Sequence, residues 1–367
     1  MSALTVPKFA TQLVGSWCKP HWMCDHEKVY DAEGTWWRVD SQQLEEAHDD
    51  AVRLAIADQE RAGLTYVTDG EQRRQTFSGH FTLGLGGLDT SPDAQSAPVF
   101  RPFDVAEYMT MKPRPAPAAG EAPRPRTVQP RVISPVLWQS PMIGPASGFL
   151  QSHTSAGVKV TVIGPTTLAL RLIDEHYGAL DQLAFALADA INVELHLLQK
   201  MDVDLIQLDE PEVHFRYSTV AGFATEALDR ALRGIETRTA VHVCYGYSKN
   251  IAQKRATPVF AQALDVLAAT SVDDISLEYA QPNHHPDLLE HCGAKGVILG
   301  VLDLDTEAPV ETVDGIVARA SAATEVVGPD RMRLGPDCGM WFLPREHAAA
   351  KITAMEQAAR VLRARHA

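Results

Sequence analysis

Short runs of branched apolar residues recur along this chain, each followed by a longer stretch with helical spacing. The runs fall at 11–16, 65–69, 160–165, 204–211, 239–246, 274–278, 296–303 and 331–334. Helices are predicted over 41–62, 180–200, 224–236, 258–269, 285–291, 310–323 and 347–363. Nearly continuous Val/Ile/Leu runs mark strands buried on both faces, as in parallel sheets. Eight such strands alternating with helices predict an α/β fold, a TIM (β/α)8 barrel, as a single catalytic domain over 1–367. A doubly wound open sheet is the alternative, but no Gly-x-Gly-x-x-Gly turn follows the first strand to favour it.

The pattern breaks over 88–157, where Pro113, Pro115, Pro117, Pro123, Pro125 and Pro130 cluster. A structureless loop of that length is uncommon inside a compact domain. A Pro-rich excursion between strands two and three is therefore expected, with short strands near 99–111 and 127–137.

Charge and cysteine usage narrow the partners. A formal charge of −14 opposes nucleic acid or an anionic membrane, which demand a basic face. No apolar run approaches the roughly 18 residues of a membrane helix, and the N-terminus lacks the layout of a secretory signal. The five cysteines are irregularly spaced in a long chain, so a disulfide framework is not expected and a cytoplasmic location with reduced thiols is.

Within 239–246, His242 and Cys244 are two residues apart. On a strand they share one face, with Cα atoms roughly 7 Å apart. Imidazole nitrogen and thiolate sulfur suit Zn2+, which takes about four ligands. Glu278 and Cys338 each end another predicted strand. In a parallel barrel those C-terminal ends converge on one face, so His242, Cys244, Glu278 and Cys338 are the candidate ligands.

Six motifs then occur in order: Val-Gly-Ser-Trp-Cys-Lys-Pro at 14–20, Asp-Gly-Glu-Gln-Arg at 69–73, Ile-Gly-Pro-Thr-Thr at 163–167, Ile-Gln-Leu-Asp-Glu-Pro at 206–211, His-Val-Cys-Tyr at 242–245 and Pro-Asp-Cys-Gly at 336–339. Together they resemble the catalytic half of cobalamin-independent methionine synthase, in its short, single-barrel branch. The resemblance implies a TIM barrel with a catalytic zinc on His242, Cys244, Glu278 and Cys338, in agreement with the set above. It also implies that homocysteine is held by Ser16, Glu71 and Asp209, two carboxylates suiting an ammonium group and the serine a carboxylate. A zinc-bound thiol is deprotonated and nucleophilic. An incoming thiolate would take zinc's open position or displace a weak ligand, Glu278, and two thiolate ligands disfavour hydrolysis by zinc-bound water.

The methyl donor is where the chain departs from the family pattern. Arg171 stands where the family has a folate-stacking tryptophan, and Asp305 stands near its proton-donating histidine. The expected reaction is methyl transfer to homocysteine from a donor other than methyltetrahydrofolate, such as a corrinoid protein. An alternative resemblance is to epoxyalkane:coenzyme M transferases, with Arg171, Arg73 or Arg216 reading a sulfonate. A non-enzymatic barrel stapled by zinc is the third reading.

Overall fold

The computed structural model describes residues 6–26, 36–74, 76–89, 130–245 and 259–367. Its strands are β1 (Tyr66–Val67), β2 (Leu85–Asp89), β3 (Arg131–Trp138), β4 (Gly157–Ile163), β5 (Ile173–Asp174), β6 (Leu205–Asp209), β7 (Thr239–Val243), β8 (Asp274–Leu277), β9 (Gly296–Leu302) and β10 (Met332–Pro336). Seven of them form one sheet in the order β1-β4-β6-β7-β8-β9-β10, and every neighbouring pair is parallel.

The eighth stave is irregular. Leu334 N–H donates to Ala10 O and Gln12 N–H to Leu334 O on one side, while Thr65 and Tyr66 N–H donate to Thr11 O on the other. Residues 10–12 thus bridge β10 and β1 and close the sheet into the expected barrel. The predicted strand over 11–16 shrinks to a single bridge, Thr11 to Leu334. Beyond it the carbonyls are taken by side chains from inside the barrel: Lys159 Nζ donates to Leu13 O, Gln207 Nε2 to Val14 O and Thr68 Oγ1 to Gly15 O.

The outward faces of the strands carry Val160, Val162, Ile206, Leu208, Val241, Val243, Ile275, Leu277, Val297 and Leu299, which join the helices in one apolar core. The inward faces differ from the aliphatic layers usual in this fold. Apolar inward residues form only a small cluster of Ala10, Tyr66, Leu205, Ala240 and Ile298. Above it come Lys159, Thr161, Gln207, Asp209, His242, Ser276 and Glu278, all buried. Gly300 is required there, because a Cβ would lie 2.2 Å from Asp337 Oδ1.

Helices match the sequence pattern with shifted ends. Leu44–Ala62 stops at Gly63, which takes φ +85 as a C-cap. Val313–Val327 starts late because the Thr312 side chain accepts Gly315 N–H as an N-cap. The helix predicted over 224–236 ends at Ala231, and the one at 285–291 is a 3-10 helix, Pro286–Cys292.

The excursion is more regular than its composition suggests. β3 pairs antiparallel with β2 and parallel with β5, so a strand exists near the predicted 127–137. The other predicted strand, near 99–111, lies outside the described residues. Gly144–Ser152 is a helix with proline in its first turn, where the missing N–H costs nothing. Glu194 accepts N–H bonds from Met142, Ile143 and Gly144 and from Trp138 Nε1, tying the excursion to the helix Leu180–Lys200.

Candidate active site

Three predicted ligands meet at the C-terminal end of the barrel. One donor atom from each of His242, Cys244 and Cys338 lies within 4.8 Å of the other two. Strand alternation brings His242 and Cys244 to one face, and the turn after β10 delivers Cys338, whose Sγ is 3.5 Å from Cys244 Sγ. His242 Nδ1 meets Ser276 Oγ at 3.0 Å. Its Nε2 is buried with no hydrogen-bond partner among the described residues. Burial, and after it the charge of Lys159, pushes the imidazole down to about 3, so the ring is neutral at pH 7. A neutral imidazole with one nitrogen anchored and the other unpartnered, beside two thiols, fits a zinc ion.

Glu278 stands beside this trio and is not part of the 4.8 Å cluster. Its Oε2 accepts Tyr245 N–H at 2.8 Å. Asp337, which the sequence reading passed over, accepts N–H bonds from Tyr279, Ala280 and Gln281. It thereby ties the turn carrying Cys338 to the turn following Glu278.

Ser16, Glu71 and Asp209 are all buried at the same end of the barrel. Ser16 O accepts Met340 N–H, which joins this side of the site to the Cys338 turn. Glu71 holds a left-handed backbone, φ +55. Its Oε1 accepts Thr161 Oγ1 at 2.8 Å and pairs with Arg74 Nη1 at 3.1 Å, and no described residue bonds Oε2. Asp209 Oδ1 accepts Gln207 Nε2 at 2.7 Å. Burial, then the Glu71 carboxylate, pushes Asp209 up to about 7, while burial brings Lys159 down to about 7. A carboxylate whose ionisation is opposed by burial and by a neighbouring carboxylate is relieved by an incoming cation.

Arg171 and Asp305, where the chain departs from the family pattern, come after β4 and β9. Arg171 is paired with Glu212, which also has Arg216 at 3.9 Å. Arg73 pairs with Asp49. Asp305 is half-buried after β9 and its Oδ1 accepts Glu307 N–H at 3.0 Å. Among residues missed from sequence, Lys159 carried a signal: a lysine inside Val-Lys-Val-Thr-Val-Ile cannot face the apolar side. Lys19, under Trp341, lies in the motif at 14–20, which does not by itself give it a role.

Comparison with known proteins adds the following. A family model described as the catalytic domain of cobalamin-independent synthase matches residues 120–361. The chain is 27% identical over 359 residues to a methionine synthase of Sulfurisphaera tokodaii, covering 98% of this chain and 94% of that one. It is 28% identical over 361 residues to a methionine synthase of Saccharolobus solfataricus, covering 98% and 96%. A solved B12-independent methionine synthase from a Shewanella species, in complex with selenomethionine, matches with a TM-score of 0.82 at 27% identity over 98% of this chain and 99% of that one. A methyltransferase from Methanosarcina mazei shares the fold, with a TM-score of 0.56 at 17% identity over 96% and 94%.

Proposed function

This chain belongs to the family of cobalamin-independent synthase catalytic domains, and from that premise we propose that it is a cytoplasmic, zinc-dependent methyltransferase that converts homocysteine to methionine. The observation that carries the reading is the convergence of His242, Cys244 and Cys338 beside a buried pair of carboxylates, Glu71 and Asp209. Zinc would be held by His242, Cys244 and Cys338 with Glu278 as fourth donor, and when bound it keeps a substrate thiol in its nucleophilic, deprotonated form.

The rest is work for side chains. Glu71 Oε2 and Asp209 receive the ammonium group, and Ser16 receives the carboxylate, which leaves the side-chain sulfur directed at the cysteine cluster. The reading draws support from the Shewanella relative, whose structure holds selenomethionine. The cytoplasmic placement is consistent with five free cysteines and with the absence, among the described residues, of a helix able to cross a membrane.

For the donor, Arg171 presents a guanidinium already paired with Glu212 rather than an aromatic face. Position 305 carries a carboxylic side chain, whose Oδ1 accepts Glu307 N–H, in place of an imidazole. Both support a methyl donor whose leaving group needs little acid assistance, a methyl-corrinoid being the candidate. The coenzyme M alternative needs arginines free to read a sulfonate, yet Arg73 and Arg171 face carboxylates. The test is turnover of the zinc-loaded protein with homocysteine or coenzyme M against methylcobalamin, methyltetrahydrofolate and a small epoxide. Product only from coenzyme M and epoxide would replace this reading with the alternative, and no product from any pairing would favour a zinc-stapled binding barrel.

A further inference from the structure

Lys19 is buried at 2% exposure, yet among the described residues its ammonium bonds no carboxylate. Its Nζ donates to two backbone carbonyls, Glu71 O at 2.5 Å and Gln72 O at 2.8 Å. Three indoles close the site around it, with ring centroids 5.6 Å away for Trp36, 5.7 Å for Trp37 and 4.9 Å for Trp341. A desolvated lysine against aromatic faces is held by cation–π attraction as well as by hydrogen bonds.

The residue it grips is unusual. Glu71 is in the left-handed region at φ +55, which a non-glycine residue adopts only when its surroundings impose it. Asp69 Oδ1 takes the Glu71 N–H on one side, and Lys19 takes the Glu71 carbonyl on the other. Arg74 and Thr161 both bind Oε1. Where Oε2 points therefore depends on where the backbone of Glu71 is held.

We propose that Lys19 is the positioning residue that aims Glu71 at the substrate ammonium, and so sets the preference for a thiol carrying an α-amino group; this rests on the amino-acid reading of the site. The same lysine joins that preference to the metal arm. Trp341 lies on the turn that carries Cys338, Met340 N–H donates to Ser16 O, and the Cys18 thiol donates to Met340 O at 3.2 Å. The amino-acid turn and the Cys338 turn are in this way packed on one lysine.

The test is calorimetric binding of L-methionine and of 4-(methylthio)butanoate, which lacks the amino group, to zinc-loaded wild type, K19M and K19R. Wild type is expected to prefer methionine by about tenfold or more, the worth of a charge-assisted hydrogen bond. K19M should lose most of that preference. Equal weakening of both ligands, or a preference kept in K19M, overturns the proposal. If K19M does not fold, K19R carries the comparison: its planar guanidinium does not reproduce a compact ammonium, so a ratio below wild type is expected and an unchanged one overturns the proposal. A wild type with no preference would remove the amino-acid reading itself, and Lys19's role with it.

Discussion

Cys338 Sγ lies 3.5 Å from Cys244 Sγ although 94 residues separate them in the chain. Two thiols brought so close from different turns, with a neutral imidazole beside them, could together hold a metal ion. One zinc per chain is expected by metal analysis, and Cys338→Ser should lose most of it. Cys292→Ser, at a buried thiol outside the cluster, should keep it. Equal zinc in the two variants would sink the ligand assignment.

Asp209→Asn tests the ammonium pocket. Asparagine keeps an oxygen to accept Gln207 Nε2 but removes the charge. The KM for homocysteine should rise by about 10- to 150-fold, the equivalent of 1.5–3 kcal/mol for a contact to a charged group. Zinc content should not change. Unaltered homocysteine kinetics would move the ammonium elsewhere.

Donor choice is a separate prediction. With Arg171 paired to Glu212 and Asp305 accepting Glu307 N–H, methylcobalamin is expected to methylate homocysteine much faster than methyltetrahydrofolate does. Comparable initial rates with the two donors would mean that other residues stack the pterin and protonate its nitrogen.

His48 offers a pH signature away from the metal. It packs edge-on against Trp37 at 4.7 Å, and burial, followed by the charges of Lys19 and Arg73, lowers it from 6.5 to about 4. The folded state favours the neutral ring, so the associated stability is present above pH 6.5 and is lost as pH falls toward 4. Melting temperatures of His48→Leu should therefore decline less than wild type between pH 6.5 and 4. Parallel curves would show that His48 titrates normally.

Gly300→Ala probes the Asp337 clamp. The new Cβ would lie 2.2 Å from Asp337 Oδ1, which accepts Tyr279 and Ala280 N–H. Unsatisfied buried amides cost about 1–3 kcal/mol each. Both a lower melting temperature and weaker zinc retention in a chelator competition are expected; a variant matching wild type in both would separate Asp337 from the metal arm.

The barrel was legible because its outward residues, such as Val160, Val162, Ile206 and Leu208, form runs that periodicity detects. The eighth stave was not, since Leu13, Val14 and Gly15 give their carbonyls to Lys159, Gln207 and Thr68, and pairing between such distant positions leaves no local trace. The convergence of His242, Cys244 and Cys338 was readable from strand alternation and from where strands end. Arg171 was read as available for an anion, and its carboxylate partner Glu212 lies 41 positions away. Lys19 stayed hidden for the same reason, because its contacts at 71 and 72 and at 341 come from two turns distant in the chain.

The polar column inside the barrel divides the molecule into two parts that can vary separately. Cohesion comes from the shell, where strand faces such as Val241, Ile275 and Leu299 meet the helices, while Thr161, Asp209 and His242 look inward and contribute little apolar contact. A lineage could therefore exchange inward residues, and with them the thiol or the donor it accepts, without rebuilding the frame. For an engineer, the inward positions are where new substrates are to be sought, and the outward positions are where heat resistance is.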